Sequence, residues 1–390
     1  MDSFELDRKY MDQKYPDPAF PAETGMDAET LRAGLEKLFL QNRELPHPLA
    51  KARAVEFVLD HTRIDASPHD WFIGCGEWGR KTIEPIYCAA WKKEVIDGIP
   101  EAVRNDFHRL SQNRLTSFTF DFAHAVPDWQ AILRLGVPGM LDRVKYYRAM
   151  RRSLGRALPS DELFFDSLEI ALSAAVRWIH RLRELAERNA GAFGGRSEKT
   201  AECLRHLSEG GAQSFYDALQ QIWLFHILSE SIDCIQARSL GNLDQLLYPF
   251  YRHDLECGTF TEAELREILH YFMYQMTALH YFWGHPFYLG GTDERGHSAV
   301  NELTRMILDV YEEAGIYDPK IQLKISPDTP PDFLKRVLAM VRRGRNSIVF
   351  VGEPCILRTM IRNGYSLEEA RSADIKGCYE YTAQAAAVET

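Results

Sequence analysis

Lys320-Ile321-Gln322-Leu323-Lys324-Ile325 alternates polar and apolar side chains with the period of two that a β-strand imposes. Before it, Phe287-Tyr288-Leu289-Gly290-Gly291 reads as a strand ending in glycines; after it, Ile348-Val349-Phe350-Val351 is a fully apolar strand. Helical patterns fill the gaps, one over 299–314 and one that Pro331 opens and Gly344 stops at about Arg343. Strand, helix, strand, helix is the signature of a parallel sheet joined by crossover helices, so this part of the chain reads as α/β. In such sheets the active groups collect at the C-terminal ends of the strands.

Downstream, Ser366 and Glu369 cap a short helix, and the chain then reaches Ala373-Asp374-Ile375-Lys376-Gly377-Cys378-Tyr379-Glu380-Tyr381. If this segment is extended, the Cys378 thiol and the Glu380 carboxyl point the same way, pairing a hydrogen-atom or electron carrier with a proton acceptor. A bland reading stands beside it: cysteine is usually a small buried hydrophobe, and a nearby Glu a solvated neighbour. A hydrolytic Cys-His enzyme would need a base and an oxyanion hole, and none of the 13 histidines carries a nucleophile-elbow or papain-like context.

Upstream the pattern is mostly helical. Residues 1–26, with Pro16, Pro18 and Pro21 among charges, read as an extended arm; helices follow from Asp27, with Leu31, Leu35, Leu38 and Phe39 in step, and over 48–60. Gly74-Cys75-Gly76-Glu77-Trp78-Gly79 matches GxGxxG, but the preceding strand is very short and no βαβ unit follows, so a tight glycine turn is preferred to a dinucleotide site. Residues 100–195 are helical around an interruption at 118–128, where His124 is either a substrate ligand or a hydrogen-bonded structural histidine. The glycines at 191, 194 and 195 suggest a flexible joint. An apolar helix over 213–232 places Phe215, Leu219, Ile222, Trp223 and His226 in the core. Beyond it a Ser-x-Gly turn presents Ser239 to a pocket, with Asp244 as a structural acceptor, and Thr261 with Glu264 boxes a helix to about Leu279.

Composition narrows the class. The 390 residues are 45% hydrophobic and 26% charged, which suits an ordinary globular protein with a large core. A net charge of -10 without a dense basic block disfavours nucleic acid and anionic membranes and suits small-molecule chemistry. Seven cysteines scattered without CxxC spacing read as reduced thiols in cytoplasm and offer no zinc site; the acidic start has no secretory h-region, and no apolar run approaches the ~20 residues that span a bilayer.

Several ordered blocks carry a longer pattern: Gly290-Gly291-Thr292-Asp293 through Leu303, Thr329-Pro330-Pro331-Asp332-Phe333-Leu334, Gly364-Tyr365-Ser366-Leu367-Glu368-Glu369-Ala370-Arg371 and Gly377-Cys378-Tyr379-Glu380. Together with Leu243-Asp244-Gln245, Tyr248-Pro249-Phe250-Tyr251 and His124-Ala125-Val126-Pro127-Asp128-Trp129, they resemble the glycyl radical enzymes of the pyruvate formate-lyase-like superfamily over most of residues 70–385. The resemblance implies two five-stranded parallel half-barrels forming a ten-stranded α/β barrel around a cysteine loop. Residues 1–390 would be the N-terminal portion of the catalytic domain, supplying the first half-barrel and that loop.

It implies no bound cofactor but a glycyl radical, installed by an S-adenosylmethionine-dependent radical activating enzyme on a glycine in an Arg-Val-x-Gly-Tyr motif. It also implies a homodimer acting anaerobically on a small-molecule substrate. Cys378 would be the thiyl carrier and Glu380 the general base: a thiyl takes hydrogen from carbon, and the resulting radical expels a neighbouring group more readily once its hydroxyl proton is removed. Gly377 stands where the pyruvate-cleaving branch has a second cysteine, which favours the eliminating branch of dehydratases, lyases and an arylacetate decarboxylase. His124 and Ser239 match positions that hold substrate hydroxyls in diol dehydratases. Tyr379 and Tyr381 replace a common valine and proline, and Asn242 stands where arginine is common.

Arg-Val-x-Gly-Tyr does not occur in these residues; Gly364-Tyr365 follows Arg362-Asn363. The expectation is therefore a chain inactive alone, whose partner is a C-terminal half carrying the radical glycine. The competing expectation is a non-catalytic, partner-binding remnant that uses the exposed edges of an unclosed barrel.

Overall fold

A computed structural model describes residues 3–11, 25–64, 68–74, 89–116, 126–232, 239–278, 285–376 and 380–383. Its first element corrects the reading of residues 1–26 as an extended arm, because Ser3–Met11 forms helix α1. Phe4, Asp7 and Met11, spaced at three and four, turn one face inward. Phe4 stacks on His270 at 3.9 Å between ring centroids, while the Asp7 carboxylate accepts from Arg196 Nη1 (2.8 Å) and from the Tyr271 hydroxyl. The three prolines all fall after Met11, so they do not oppose this helix.

The helical layer follows as α2 (Ala28–Gln41), α3 (His47–His61), α4 (Ala89–Gly98), α5 (Glu101–Gln112), α6 (Trp129–Ser153), α7 (Pro159–Phe193), α8 (Arg196–Glu209) and α9 (Phe215–His226). Asp27 caps α2 by accepting from Thr30 N, and Leu31 and Leu35 are its buried stripe. The long α7 packs against α3, α6 and α8. Gly194 and Gly195, both at positive φ, turn the chain sharply from α7 into α8, so they form a tight corner between packed helices, and Gly191 lies inside α7. α6 is kinked at Gly136 (φ 65°), where any side chain would run into the Gly210 carbonyl. α9 buries Phe215, Leu219, Ile222, Trp223 and His226 as expected, then continues as a π-helical stretch, Ile227–Ile232. Of the GxGxxG stretch only Gly74 is described; its φ of 127° and its close packing on Leu224 suit a tight turn.

α10 (Leu243–Cys257) and α11 (Glu262–Ala278) lead into the sheet. β1 (Phe287–Gly290), β2 (Ile321–Ile325) and β3 (Ile348–Gly352) are parallel in the order β1-β2-β3, connected by α12 (Glu302–Ala314) and α13 (Pro331–Arg342). Registers Tyr288↔Gln322↔Val349 and Leu289↔Leu323↔Phe350 sort the side chains onto two faces. Phe287, Leu289, Ile321, Leu323 and Ile348 face outward into the main core, each fully buried side chain contributing about 1.5–3 kcal/mol.

Beyond β3 come α14 (Glu353–Arg362), the short α15 (Leu367–Arg371) boxed by Ser366 and Glu369, and the antiparallel pair β4 (Ala373–Lys376) and β5 (Glu380–Ala383). Parallel strands in alternation with helices confirm the α/β reading at this coarser level. Among the described residues the parallel sheet has three strands, and a parallel bridge between Asn242 and Tyr288 continues it beyond β1.

Candidate functional site

The polar residues of β2 define the site. An alternating strand ordinarily sends its polar side chains to water, but parallel sheets are covered on both faces. Gln322 and Lys324 accordingly lie on the inner face, 3% and 2% exposed. Tyr288 shares that face and clusters with Val351, Ile356, Met360, Ala370, Ala373 and Ala383, so the sheet is covered by α14, α15 and the β4–β5 pair. β4 and β5 pair antiparallel, with Ala373 opposite Ala383 and Lys376 opposite Glu380.

Lys324 Nζ donates to the Ala373 carbonyl at 2.6 Å and approaches that of Arg371 at 3.4 Å, and it stands 4.6 Å from the Tyr288 ring centroid. Burial lowers its pKa, while the charges of Asp374, Glu353 and Asp244 act in the opposite direction. Glu353 opens α14 and accepts from Thr292 N at 3.0 Å. Gly291, at φ 87°, lets these groups converge: a Cβ there would lie 2.9 Å from Glu353 Oε1 and 3.3 Å from Lys324 Cδ.

Asp244 is fully buried and accepts from Gly290 N (2.9 Å) and Thr304 Oγ1 (2.6 Å), the structural role expected of it, though it joins three elements. Burial pushes its carboxyl up to about 6, against the hydrogen bonds from Thr304 and Gly290. Among the described residues Tyr288 Oη, Gln322 Oε1, Asp244 Oδ1 and Glu353 Oε2 are buried without a hydrogen-bond partner. A dense set of such groups around the inner face of the sheet can hold water or a small polar ligand.

Of the expected site residues, Ser239 is fully buried in the turn beside β1. Its hydroxyl accepts from Gly241 N at 3.0 Å and its carbonyl from Trp129 Nε1 at 3.0 Å; Leu240 N→Pro286 O and Tyr288 N→Gly241 O then align the turn with β1. Glu380 begins β5, with its backbone paired to Lys376; its side chain, His124 and Cys378 lie outside the described residues. Sequence reading passed over Lys324 and Glu353. The available signal was a lysine within a strand already assigned to a parallel sheet, where a polar side chain is buried and must find partners.

Architecture and site together define an α/β protein whose buried polar groups gather on one face of a parallel sheet. The pyruvate formate lyase-like family model matches residues 46–389, and the chain belongs to that family. Its relatives include the 4-hydroxyphenylacetate decarboxylase glycyl radical subunit of Clostridioides difficile, 28% identical over 46% of this chain and 22% of that protein. Klebsiella oxytoca (2S)-3-sulfopropanediol dehydratase is 24% identical over 82% of this chain and 42% of that protein. Among solved structures, a glycyl radical enzyme from Archaeoglobus fulgidus superposes with a TM-score of 0.76 at 20% identity, covering 98% of this chain and 55% of that one. Hydroxyproline dehydratase from Clostridioides difficile superposes with a TM-score of 0.77 at 17% identity, again over 98% and 55%. The chain thus has the fold of part of a glycyl radical enzyme and spans about half the length of those solved chains. No helix among the described residues is long and apolar enough to cross a membrane.

Proposed function

We propose that this chain is the N-terminal portion of a glycyl radical enzyme that eliminates a group from a small polar substrate, with Cys378 as thiyl carrier and Glu380 as general base. The observation that carries this reading is the β4–β5 pair, which brackets Gly377-Cys378-Tyr379 and joins the cluster on the inner face of the parallel sheet. A relative named as a dehydratase fits the same chemistry. The Cys378 thiyl takes a hydrogen atom from a substrate C–H bond, leaving a thiol and a carbon radical. Glu380 removes the proton of the hydroxyl on that carbon, and the adjacent group departs with its bonding electron pair. The product radical recovers hydrogen from the thiol. Ser239 and His124 would hold substrate hydroxyls.

The radical would come from a glycine in a second polypeptide segment, after action by a radical S-adenosylmethionine activating enzyme. Phe350, 36% exposed on β3, leaves apolar surface at the sheet edge where further barrel strands would pack. Glu380→Gln in the assembled enzyme tests the base: general-base catalysis contributes about 10²–10⁴-fold, so turnover should fall by roughly that factor. Unchanged turnover removes Glu380 from the mechanism.

A further inference from the structure

We propose that Lys324 is a positioning residue that tethers the strand leading to Cys378, an inference that rests on the reading of Cys378 as the hydrogen-abstracting thiol. Lys324 touches no reacting atom in this scheme. It stands at the C-terminal end of β2 on the inner face, and its ammonium donates to the carbonyl of Ala373, the first residue of β4, with the Arg371 carbonyl at 3.4 Å. These two carbonyls flank the corner where α15 becomes β4, and Cys378 follows Ala373 by five residues. The tether therefore joins a strand of the rigid parallel sheet to the base of the antiparallel pair, across 49 residues of sequence.

An ammonium is a costly way to fill a buried slot. A methionine would occupy similar volume with no charge to desolvate, so what the lysine adds is directional donation. The Tyr288 ring lies on one side, and Asp374, Glu353 and Asp244 supply negative charge that opposes the effect of burial. Gly291 leaves room for the stem, since a Cβ there would press on Lys324 Cδ. The tether matters because hydrogen-atom transfer depends on near-contact geometry, and a displacement of about 1 Å can cost 10²-fold in rate.

Hydrogen exchange on the full chain reads the tether directly. In Lys324→Met, amides in peptides spanning 373–383 should exchange at least about tenfold faster than wild type, while those of β1 and β2 stay within about twofold. Lys324→Arg, which keeps the donor and the charge, should recover part of the protection. Unchanged exchange at 373–383, or a loss spread equally over β1 and β2, overturns the proposal. Should Lys324→Met not fold, Lys324→Gln is read the same way: faster exchange confined to 373–383 supports the tether, and wild-type exchange overturns it. Exchange makes no reference to radical chemistry, so the two readings fail separately. Localised exchange with full turnover in Cys378→Ser keeps the tether and removes the thiyl role; unaltered exchange with turnover abolished in Cys378→Ser does the reverse.

Discussion

Asp244 shows how one residue ties the sheet to its surroundings. Its Oδ2 takes the N–H of Gly290 at the end of β1 and the hydroxyl of Thr304 in α12. Burial raises its carboxyl from an ordinary value near 3.8 to about 6, so the folded protein holds this proton more tightly than the unfolded chain does. Stability from this group is therefore present at low pH and lost as pH rises from about 4 through about 6. Asp244→Asn removes that loss. Urea melts at pH 4, 5, 6 and 7 should show the variant gaining on wild type with rising pH, and a difference independent of pH would contradict the assignment. The acceptor role of Asp244 was legible beside its turn-forming neighbours, but its partners, 46 and 60 residues away, were not.

At the scale of elements, local signals are legible in the sequence and long-range ones are not. The capping boxes at Thr261 and Ser366, the strands around Leu323 and the glycine stop at 344 depend on neighbours within a few residues, and all appear as expected. α14 opens at Glu353-Pro354, and a proline in the first turn of a helix is well placed to begin one. α1 was hidden by averaging its pattern with the prolines that follow it. The anchor of α1 is testable. The buried Asp7 accepts from Arg196, Tyr271 and His69, and Arg196 also lies 5.2 Å from the Trp71 ring centroid. Asp7→Ala should destabilise the fold by about 1.5–3 kcal/mol, because it removes a charged acceptor from Arg196 and Tyr271 and leaves the guanidinium only Glu267 and the Tyr271 hydroxyl, and denaturant melts measure this. A loss within ~0.5 kcal/mol, typical of surface substitutions, would show that α1 carries little of the fold.

At the scale of the whole molecule, the chain has a helical layer, a parallel sheet with one apolar and one polar buried face, and an antiparallel pair over the polar face. The order of family blocks was legible from end to end because each block is a short local pattern at a set distance from the next. The inner face was not, because burial of Gln322 and Lys324 depends on residues some 50 positions downstream folding back over them. The most direct test of the account is Cys378→Ser in the enzyme assembled with a polypeptide carrying Arg-Val-x-Gly-Tyr and treated anaerobically with the activating enzyme and S-adenosylmethionine. Electron paramagnetic resonance and product formation are followed on the same sample. The account expects the glycyl doublet to persist while product formation falls to background. Product at the wild-type rate would contradict it.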